Sequence, residues 1–193
     1  MHSHLRLALR SAPQRDYGQS EISVLGDIGA LTDWSGAIEN IDVVIHLAAR
    51  VHVMNDSAAD PLEEYRRVNV AGTLHLASEA AKAGVRRFIY LSSVKVNGES
   101  TKSGKPFSER STPNPADPYG MSKLEAEVGL EKISAATGME YVIIRPPLIY
   151  GPGVKANFLR LMDLVTKGIP LPFGAVKNHR SMLALDNLIS FIE

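Results

Sequence analysis

Tyr119 and Lys123 are the two residues of this 193-residue chain whose types and spacing point most directly to chemistry. Side chains four residues apart lie on one face of a helix, so the ammonium can stabilise a phenolate and lower the phenol pKa from about 10. Two serines, Ser92 and Ser93, end a strand-like segment upstream. Such a trio can take a proton from a substrate hydroxyl while a nicotinamide accepts the hydride. We therefore predict Ser93, Tyr119 and Lys123 as catalytic residues of a hydride-transferring enzyme.

Each of these residues also has a structural interpretation. A Tyr-x-x-x-Lys pair by itself is typical of a solvated helix face, and a serine at the end of a strand can simply satisfy backbone groups. The context favours catalysis, because the pair follows a strand that ends in two serines, and doubly wound folds bind ligands at the carboxyl ends of their strands. We expect one serine to be structural and Ser93 to bond the reacting oxygen.

Strand-like and helix-like segments alternate along the chain, which predicts a parallel, doubly wound α/β sheet. Residues 41–48 and 140–145 are apolar runs of the kind found in buried strands. Asp60 can cap a helix that begins at Pro61, and Asp117 with Pro118 starts another. The predicted strands are 5–9, 21–25, 41–48, 85–93 and 140–145, and the predicted helices are 61–83, 117–136 and 157–167.

The composition excludes several classes of partner. The 21 basic and 21 acidic residues balance, so we predict no nucleic acid or membrane partner. The absence of cysteine excludes a disulfide framework, and the six histidines show no metal-ligand spacing, so no metal site is expected. No apolar run approaches the roughly 18 residues of a membrane span. These features predict a cytoplasmic protein.

Several short motifs follow one another in an order that resembles a known family. They are Gly26-Asp27-Ile28, His46-Leu47-Ala48-Ala49, residues 68–73 (VNVAGT), Leu91-Ser92-Ser93, residues 119–123, Arg145-Pro146, residues 150–153 (YGPG), Arg180-Ser181 and Asp186-Asn187-Leu188. In these residues the chain resembles the extended short-chain dehydrogenase/reductases, especially the NAD-dependent nucleotide-sugar epimerases related to UDP-galactose 4-epimerase. The resemblance runs along almost the whole chain.

This resemblance implies a role for each matching residue. Asp27 would accept a hydrogen bond from the adenine amino group of NAD, with Ile28 against the ring. Lys123 and Tyr119 would also contact the nicotinamide ribose region. The remaining cofactor-binding residues would be Ala48, Ala49, Asn69 and Pro146. Of these, Asn69 would also brace the edge of the sheet. Ser93, Asn157 and Arg180 would contact the UDP-sugar, where a guanidinium suits the diphosphate.

Simpler roles exist for three of these residues. Asp27 can cap a turn, Asn157 can cap its helix, and Arg180 can be a solvated strand residue. NAD is the expected cofactor, although Arg10 and Arg15 near the end of the first strand weakly allow NADP. A homodimer is a further expectation.

The resemblance also has a gap and a departure. The family opens with a strand and a G-x-x-G-x-x-G turn that receives the pyrophosphate, whereas the strand at 5–9 resembles the family's second strand. We therefore expect a fragment truncated at both ends. Residues 1–150 would form a partial dinucleotide-binding Rossmann domain lacking the first strand and glycine-rich loop, and 151–193 the start of a substrate-binding lobe.

Val94-Lys95 stands where 4,6-dehydratases carry an Asp-Glu pair, which disfavours dehydration.

The activity expected from the resemblance is C4 epimerisation of a UDP-hexose through a transient 4-keto sugar. An NAD(P)H-dependent reductase of nucleotide 4-keto sugars, of the kind used in polysaccharide biosynthesis, would use the same residues and is the alternative. A steroid- or flavonoid-type reductase fits Arg180 and the YGPG segment less well. A third hypothesis, from a different class, is a truncated non-catalytic remnant or scaffold.

Overall fold

The computed structural model describes residues 4–51, 60–102, 104–154, 156–171 and 174–193. The chain divides into two compact units, Met1–Arg145 and Pro146–Glu193. The predicted domain boundary after residue 150 lies within the second unit.

Three parallel strands form the main sheet of the first unit, with β4 (Arg87–Leu91) between β3 (Val43–His46) and β5 (Glu140–Ile144). In the register of these strands His46 lies beside Tyr90, and Leu91 beside Ile144, so the carboxyl ends of the strands meet at one edge. A separate parallel pair joins β1 (Arg6–Leu9) to β2 (Glu21–Val24). The parallel strands connected by helices confirm the predicted α/β class.

Two helices of the first unit, those at Pro61 and Pro118, begin where their capping residues predict. The helices of this unit are α1 (Ser35–Ile38), α2 (Pro61–Tyr65), which continues through a π-helical segment (Arg66–Gly72) into α3 (Thr73–Lys82), and α4 (Pro118–Thr137). The Asp60 carboxylate accepts from the Glu63 N–H at 3.1 Å, and Asp117 accepts from the Gly120 N–H at 2.6 Å. A single helix was predicted over 61–83. Its middle is a π-helical segment with i→i+5 hydrogen bonds, which neither residue propensity nor hydrophobic periodicity predicted.

The core of the first unit lies between the sheet and helices α3 and α4. Phe88 and Tyr90 of β4 are fully buried, and they face small residues such as Ala77 and Ala126 that allow the helices to approach the sheet. Burying a large aromatic side chain stabilises the fold by roughly 2–3 kcal/mol, so β4 contributes strongly to the stability of this unit.

Residues 41–48 and 140–145 contain strands, as predicted, but the prediction that these strands are buried is wrong. Val43 and Ile45 of β3 are 38% and 44% exposed, and Tyr141 and Val142 of β5 are 36% and 39% exposed. These are the two outer strands of the described sheet, and their inward residues, including Val44 and Ile143, pack on the core. Side chains alternate across a strand, so the outward residues of β3 remain open to solvent.

The second unit is small. A parallel pair joins β6 (Leu148–Tyr150) to β7 (Met182–Ala184), and the helices are α5 (Ala156–Thr166) and α6 (Leu185–Ile192). The rings of Tyr150 and Phe158 lie 5.8 Å apart. In the part of the chain that the structure describes, no helix is both long and apolar enough to cross a bilayer.

Candidate active site

Ser93 follows the carboxyl end of β4, where the chain turns into a short 3₁₀ helix (Val94–Val96). Its backbone is extended, with φ −157° and ψ 147°, and its Oγ accepts a hydrogen bond from the Lys95 N–H at 3.2 Å. Because this contact uses an acceptor lone pair, the hydroxyl hydrogen of Ser93 is available to donate toward Tyr119 or a substrate oxygen.

Tyr119 lies in the first turn of α4, half-buried, with its ring edge-on to Tyr65 at 6.0 Å between centroids. Burial is the largest influence on the pKa of its phenol and raises it. The Ser93 hydroxyl and the charge of Lys95 lower this pKa, whereas Asp117 and Tyr65 raise it, and the net shift is upward. The sequence predicted a pKa lowered by Lys123, so this part of the prediction differs from the structure.

Lys123 is almost completely buried, at 2% exposure. Its ammonium donates to the Leu91 carbonyl oxygen at 2.9 Å and lies 4.6 Å from the ring centroid of Tyr90 and 5.9 Å from that of Tyr119. Burial lowers the pKa of Lys123 to about 8, although the Glu127 carboxylate acts in the opposite direction. The cation is therefore held beside the two aromatic rings and can lose its proton at mildly alkaline pH.

Asn69 joins three parts of this site. Both hydrogens of its side-chain amide are used, by the Arg50 carbonyl at 3.0 Å and the Ser122 Oγ at 3.0 Å, and its Oδ1 accepts from the Arg50 N–H at 2.8 Å. Ser122 in turn donates to the Tyr119 carbonyl at 2.8 Å. The structure therefore gives Asn69, in the π-helical segment, a bracing role between the end of β3 and helix α4; a cofactor contact for it remains a prediction.

A second buried network, which sequence reasoning missed, lies one turn further along α4. The Glu127 carboxylate accepts from Ser92 Oγ at 2.5 Å and from Arg145 Nε at 3.0 Å and Nη2 at 2.5 Å. Arg145 also reaches the Asn97 Oδ1 at 3.4 Å. Ser92 is thereby the structural serine of the pair. The spacing of Glu127 four residues after Lys123 was the available signal, because it places a carboxylate on the same helix face.

His46, at the end of β3, is buried and neutral. Its Nε2 lies 2.9 Å from Thr73 Oγ1, and its ring stacks on Tyr90 with centroids 5.8 Å apart. Burial lowers its pKa to about 3, and the charge of Lys123 adds to this effect. The histidine is therefore a packed core residue rather than a proton carrier.

The residues assigned to the adenine end of a cofactor lie at the ends of β2 and β3. The Asp27 carboxylate is exposed and forms an ion pair with Arg10, with 2.6 Å between Nε and Oδ1. Ile28 is half-buried against the core. The backbone of Gly29 lies close to Gly72, so a Cβ added to Gly72 would lie 3.3 Å from the Gly29 nitrogen. Ala48 is exposed and Ala49 half-buried in the segment after β3.

The remaining assigned residues belong to the second unit. Pro146 is buried, and Arg180 is exposed just before β7. Asn157 lies in the first turn of α5, and its side chain falls outside the described residues.

The donor set of the site fits a nicotinamide dinucleotide. Among the described residues the Lys123 ammonium has one hydrogen-bond acceptor, the Leu91 carbonyl, which leaves two of its three hydrogens for a ligand. A buried cation with spare donors beside a tyrosine phenol suits a ribose diol. The small side chains of Ala48 and Ala49 leave room for close approach at the strand end.

Residues 5–186 match the model of the NAD dependent epimerase/dehydratase family. The chain belongs to this family. A UDP-glucose 4-epimerase of Vibrio cholerae is 50% identical over 189 residues, which are 97% of this chain and 57% of that protein. The chain thus spans little more than half the length of this relative.

Two solved structures are also similar. The complex of MoeE5 with UDP-glucuronic acid and NAD has a TM-score of 0.76 and 26% identity, over 98% of this chain and 62% of the other. The UDP-glucuronic acid 4-epimerase of Bacillus cereus in complex with NAD has a TM-score of 0.74 and 28% identity, over 89% of this chain and 54% of the other. These similarities confirm the Rossmann-like fold and the family that the motifs predicted.

Proposed function

We propose that the protein is an NAD-dependent 4-epimerase of a UDP-sugar. The observation that carries this proposal is the arrangement of Ser93, Tyr119 and Lys123 at the carboxyl end of β4. The 50% identity to the UDP-glucose 4-epimerase of Vibrio cholerae supports the choice of reaction. The UDP-sugars bound by MoeE5 support the substrate class.

Tyr119 is the proposed base. As a phenolate it takes the proton of the C4 hydroxyl, and the Ser93 hydroxyl donates a hydrogen bond to the same oxygen. The Lys123 ammonium, 5.9 Å from the centroid of the Tyr119 ring, would stabilise the negative charge that develops on the phenol oxygen. When bound, NAD supplies an acceptor for the C4 hydride and a donor that returns it. Return of the hydride to the other face of the 4-keto sugar inverts C4.

The proposed binding roles follow the same assignments. Tyr119 and Lys123 would hold the nicotinamide ribose region, with Asp27, Ile28, Ala48, Ala49 and Pro146 toward the rest of the cofactor. Asn157 and Arg180 would contact the diphosphate of the UDP-sugar. The exposed guanidinium of Arg180 has the planar donor geometry that phosphate oxygens require.

The position after Ser93 supports an epimerase over a dehydratase. A dehydratase would need an acid–base pair there to eliminate water. Lys95 instead has its ammonium engaged by Glu99, at 3.0 Å, and by Asp117, and Val94 cannot exchange a proton. The site therefore has the groups for oxidation and reduction at C4.

The test is turnover by the full-length protein with UDP-glucose and UDP-glucuronic acid. We expect the C4 epimer to form without net NADH consumption, and Tyr119→Phe to lower kcat by about 10²–10⁴-fold. Tyr141→Phe, at an exposed position of β5, is the matched control and should leave kcat unchanged.

Two other outcomes would overturn the proposal. Consumption of one NADH or NADPH per product, with a 4-keto nucleotide sugar as substrate, would identify the reductase. Failure of the folded full-length protein to bind NADH or turn over any UDP-sugar would favour a non-catalytic role.

A further inference from the structure

Lys95 contacts both segments that carry the proposed catalytic residues. Its backbone N–H donates to the Ser93 Oγ at 3.2 Å, and its ammonium forms an ion pair with Asp117. Its backbone carbonyl packs against the first turn of α4 so tightly that a Cβ on Gly120 would lie 2.9 Å from the carbonyl oxygen. One residue therefore links the 3₁₀ turn after β4 to the beginning of α4.

Asp117 has two separate tasks in this arrangement. One carboxylate oxygen, Oδ1, accepts from the Gly120 N–H at 2.6 Å and caps α4, while the other, Oδ2, faces the Lys95 ammonium. The ion pair is partly buried, with the side chains of Lys95 and Asp117 39% and 27% exposed. The ammonium thus fixes the orientation of the cap of the helix whose first turn holds Tyr119.

The two charges of this pair act on the Tyr119 phenol in opposite directions. Lys95 lowers the pKa of the phenol and Asp117 raises it. Among the described residues, the other polar, aromatic or charged groups that face this phenol are Ser93, Tyr65 of α2, Tyr90 of β4 and Lys123 of α4. Substitution of Lys95 or of Asp117 therefore removes one positive or one negative charge near the Tyr119 phenol, and the two effects on its pKa can be measured separately.

We propose that Lys95 is a positioning residue of the proposed reaction, which holds Ser93 through its N–H and the cap of the Tyr119 helix through its ammonium. The expected changes in kcat and in kcat/KM rest on the proposed function. The electrostatic consequence concerns the phenol of Tyr119 and can be measured without turnover.

Four variants of the full-length protein test this inference. Lys95→Met removes the positive charge that lowers the pKa of the Tyr119 phenol, so this pKa should rise and the acidic limb of the kcat/KM profile should move to higher pH. Asp117→Asn retains a capping side chain but removes the negative charge, so the limb should move to lower pH. Lys95→Arg should restore the wild-type profile. Glu99→Gln removes the outer, exposed partner of Lys95 and is the matched control.

Phenolate absorbance titration of each variant, with and without Tyr119→Phe, isolates the Tyr119 phenol from the other five tyrosines. We expect the Tyr119 pKa measured by absorbance and the acidic limb of the kcat/KM profile to shift together. We also expect kcat of Lys95→Met to fall roughly tenfold or more, because the segments that carry Ser93 and Tyr119 would no longer be held in the same relative position. Shifts of the same sign in Lys95→Met and Asp117→Asn, or none in either, would overturn the positioning role. An opposite pair of absorbance shifts in a protein without epimerase activity would uphold the geometry and reject the proposed function instead.

Discussion

The Lys123 ammonium and the Leu91 carbonyl oxygen, 2.9 Å apart, join the helix that carries Tyr119 to the carboxyl end of strand β4. The same ammonium is almost fully buried and lies over the ring of Tyr90. Burying an ammonium costs free energy, so its presence here opposes folding and indicates a role other than stability.

Lys123→Met should therefore separate stability from activity. Methionine fills a similar volume without a charge, so the variant should be at least as stable as the wild type at pH 7, while kcat falls by about 10²-fold or more because the phenolate loses its cation. Chemical denaturation and steady-state kinetics measure the two effects. An inactive variant that is also several kcal/mol less stable would contradict the separation.

The stability of the wild type should also depend on pH through this residue. The folded pKa of Lys123 is about 8, below the value of about 10.4 in an unfolded chain. Between these values the unfolded chain binds one more proton, so the free energy of unfolding should increase with pH, by up to about 3 kcal/mol. The difference between wild type and Lys123→Met, measured from pH 7 to 9.5, isolates this contribution, and a difference that stays constant over that range would contradict it.

Asn69→Ala should destabilise the first unit. The buried amide makes three hydrogen bonds that join Arg50 and Ser122, so we expect a loss of about 2–4 kcal/mol in the free energy of unfolding. Asn114→Ala removes an exposed side chain and should change stability by less than about 0.5 kcal/mol. Equal effects of the two substitutions would contradict a bracing role for Asn69.

Glu127→Gln and Glu125→Gln compare a buried and a half-exposed carboxylate on the same helix. Glu127 is bonded to Arg145 and Ser92 inside the unit, so its loss should cost about 3 kcal/mol, because the Arg145 charge is left without its partner. Glu125 binds Arg66 near the surface, and its loss should cost less than about 1 kcal/mol. Urea denaturation of both variants checks this order, and the reverse order would contradict it.

The sequence was informative where local chemistry determines structure. Asp60 with Pro61 and Asp117 with Pro118 predicted two helix starts, because capping depends on residues adjacent in the chain. The burial of β3 was overestimated, since exposure of Val43 and Ile45 depends on which elements cover each face of the sheet. The Glu127–Arg145 network depends on contacts 18 residues apart, which no local pattern specifies. The raised pKa of Tyr119 likewise reflects burial, which only the folded structure provides.

Gly120, which directly follows Tyr119, should be required to keep the start of α4 close to the turn that carries Ser93. A Cβ at this position would lie 2.9 Å from the Lys95 carbonyl oxygen and 3.1 Å from Pro115 Cβ, so the start of α4 would have to move away from the turn that carries Ser93. We expect Gly120→Ala to lower stability by about 1–3 kcal/mol and kcat/KM by roughly tenfold or more, despite the better helix propensity of alanine.

Gly129→Ala, on the same helix, is the matched control for this substitution. There the atoms nearest to the new Cβ are the two Cδ atoms of Leu74, at 2.5 Å, and its Cγ, at 3.1 Å. These belong to a half-buried side chain that can change rotamer, whereas the Lys95 carbonyl is backbone, so Gly129→Ala should cost less stability than Gly120→Ala and should leave kcat/KM at the wild-type value. Because both variants add one methyl group to α4, a loss confined to Gly120→Ala locates the effect in the close contacts of Gly120 with Lys95 and Pro115. Equal losses of stability and of kcat/KM in the two variants would show that α4 responds to an added methyl group at either position. That result would contradict a specific steric requirement for glycine at position 120.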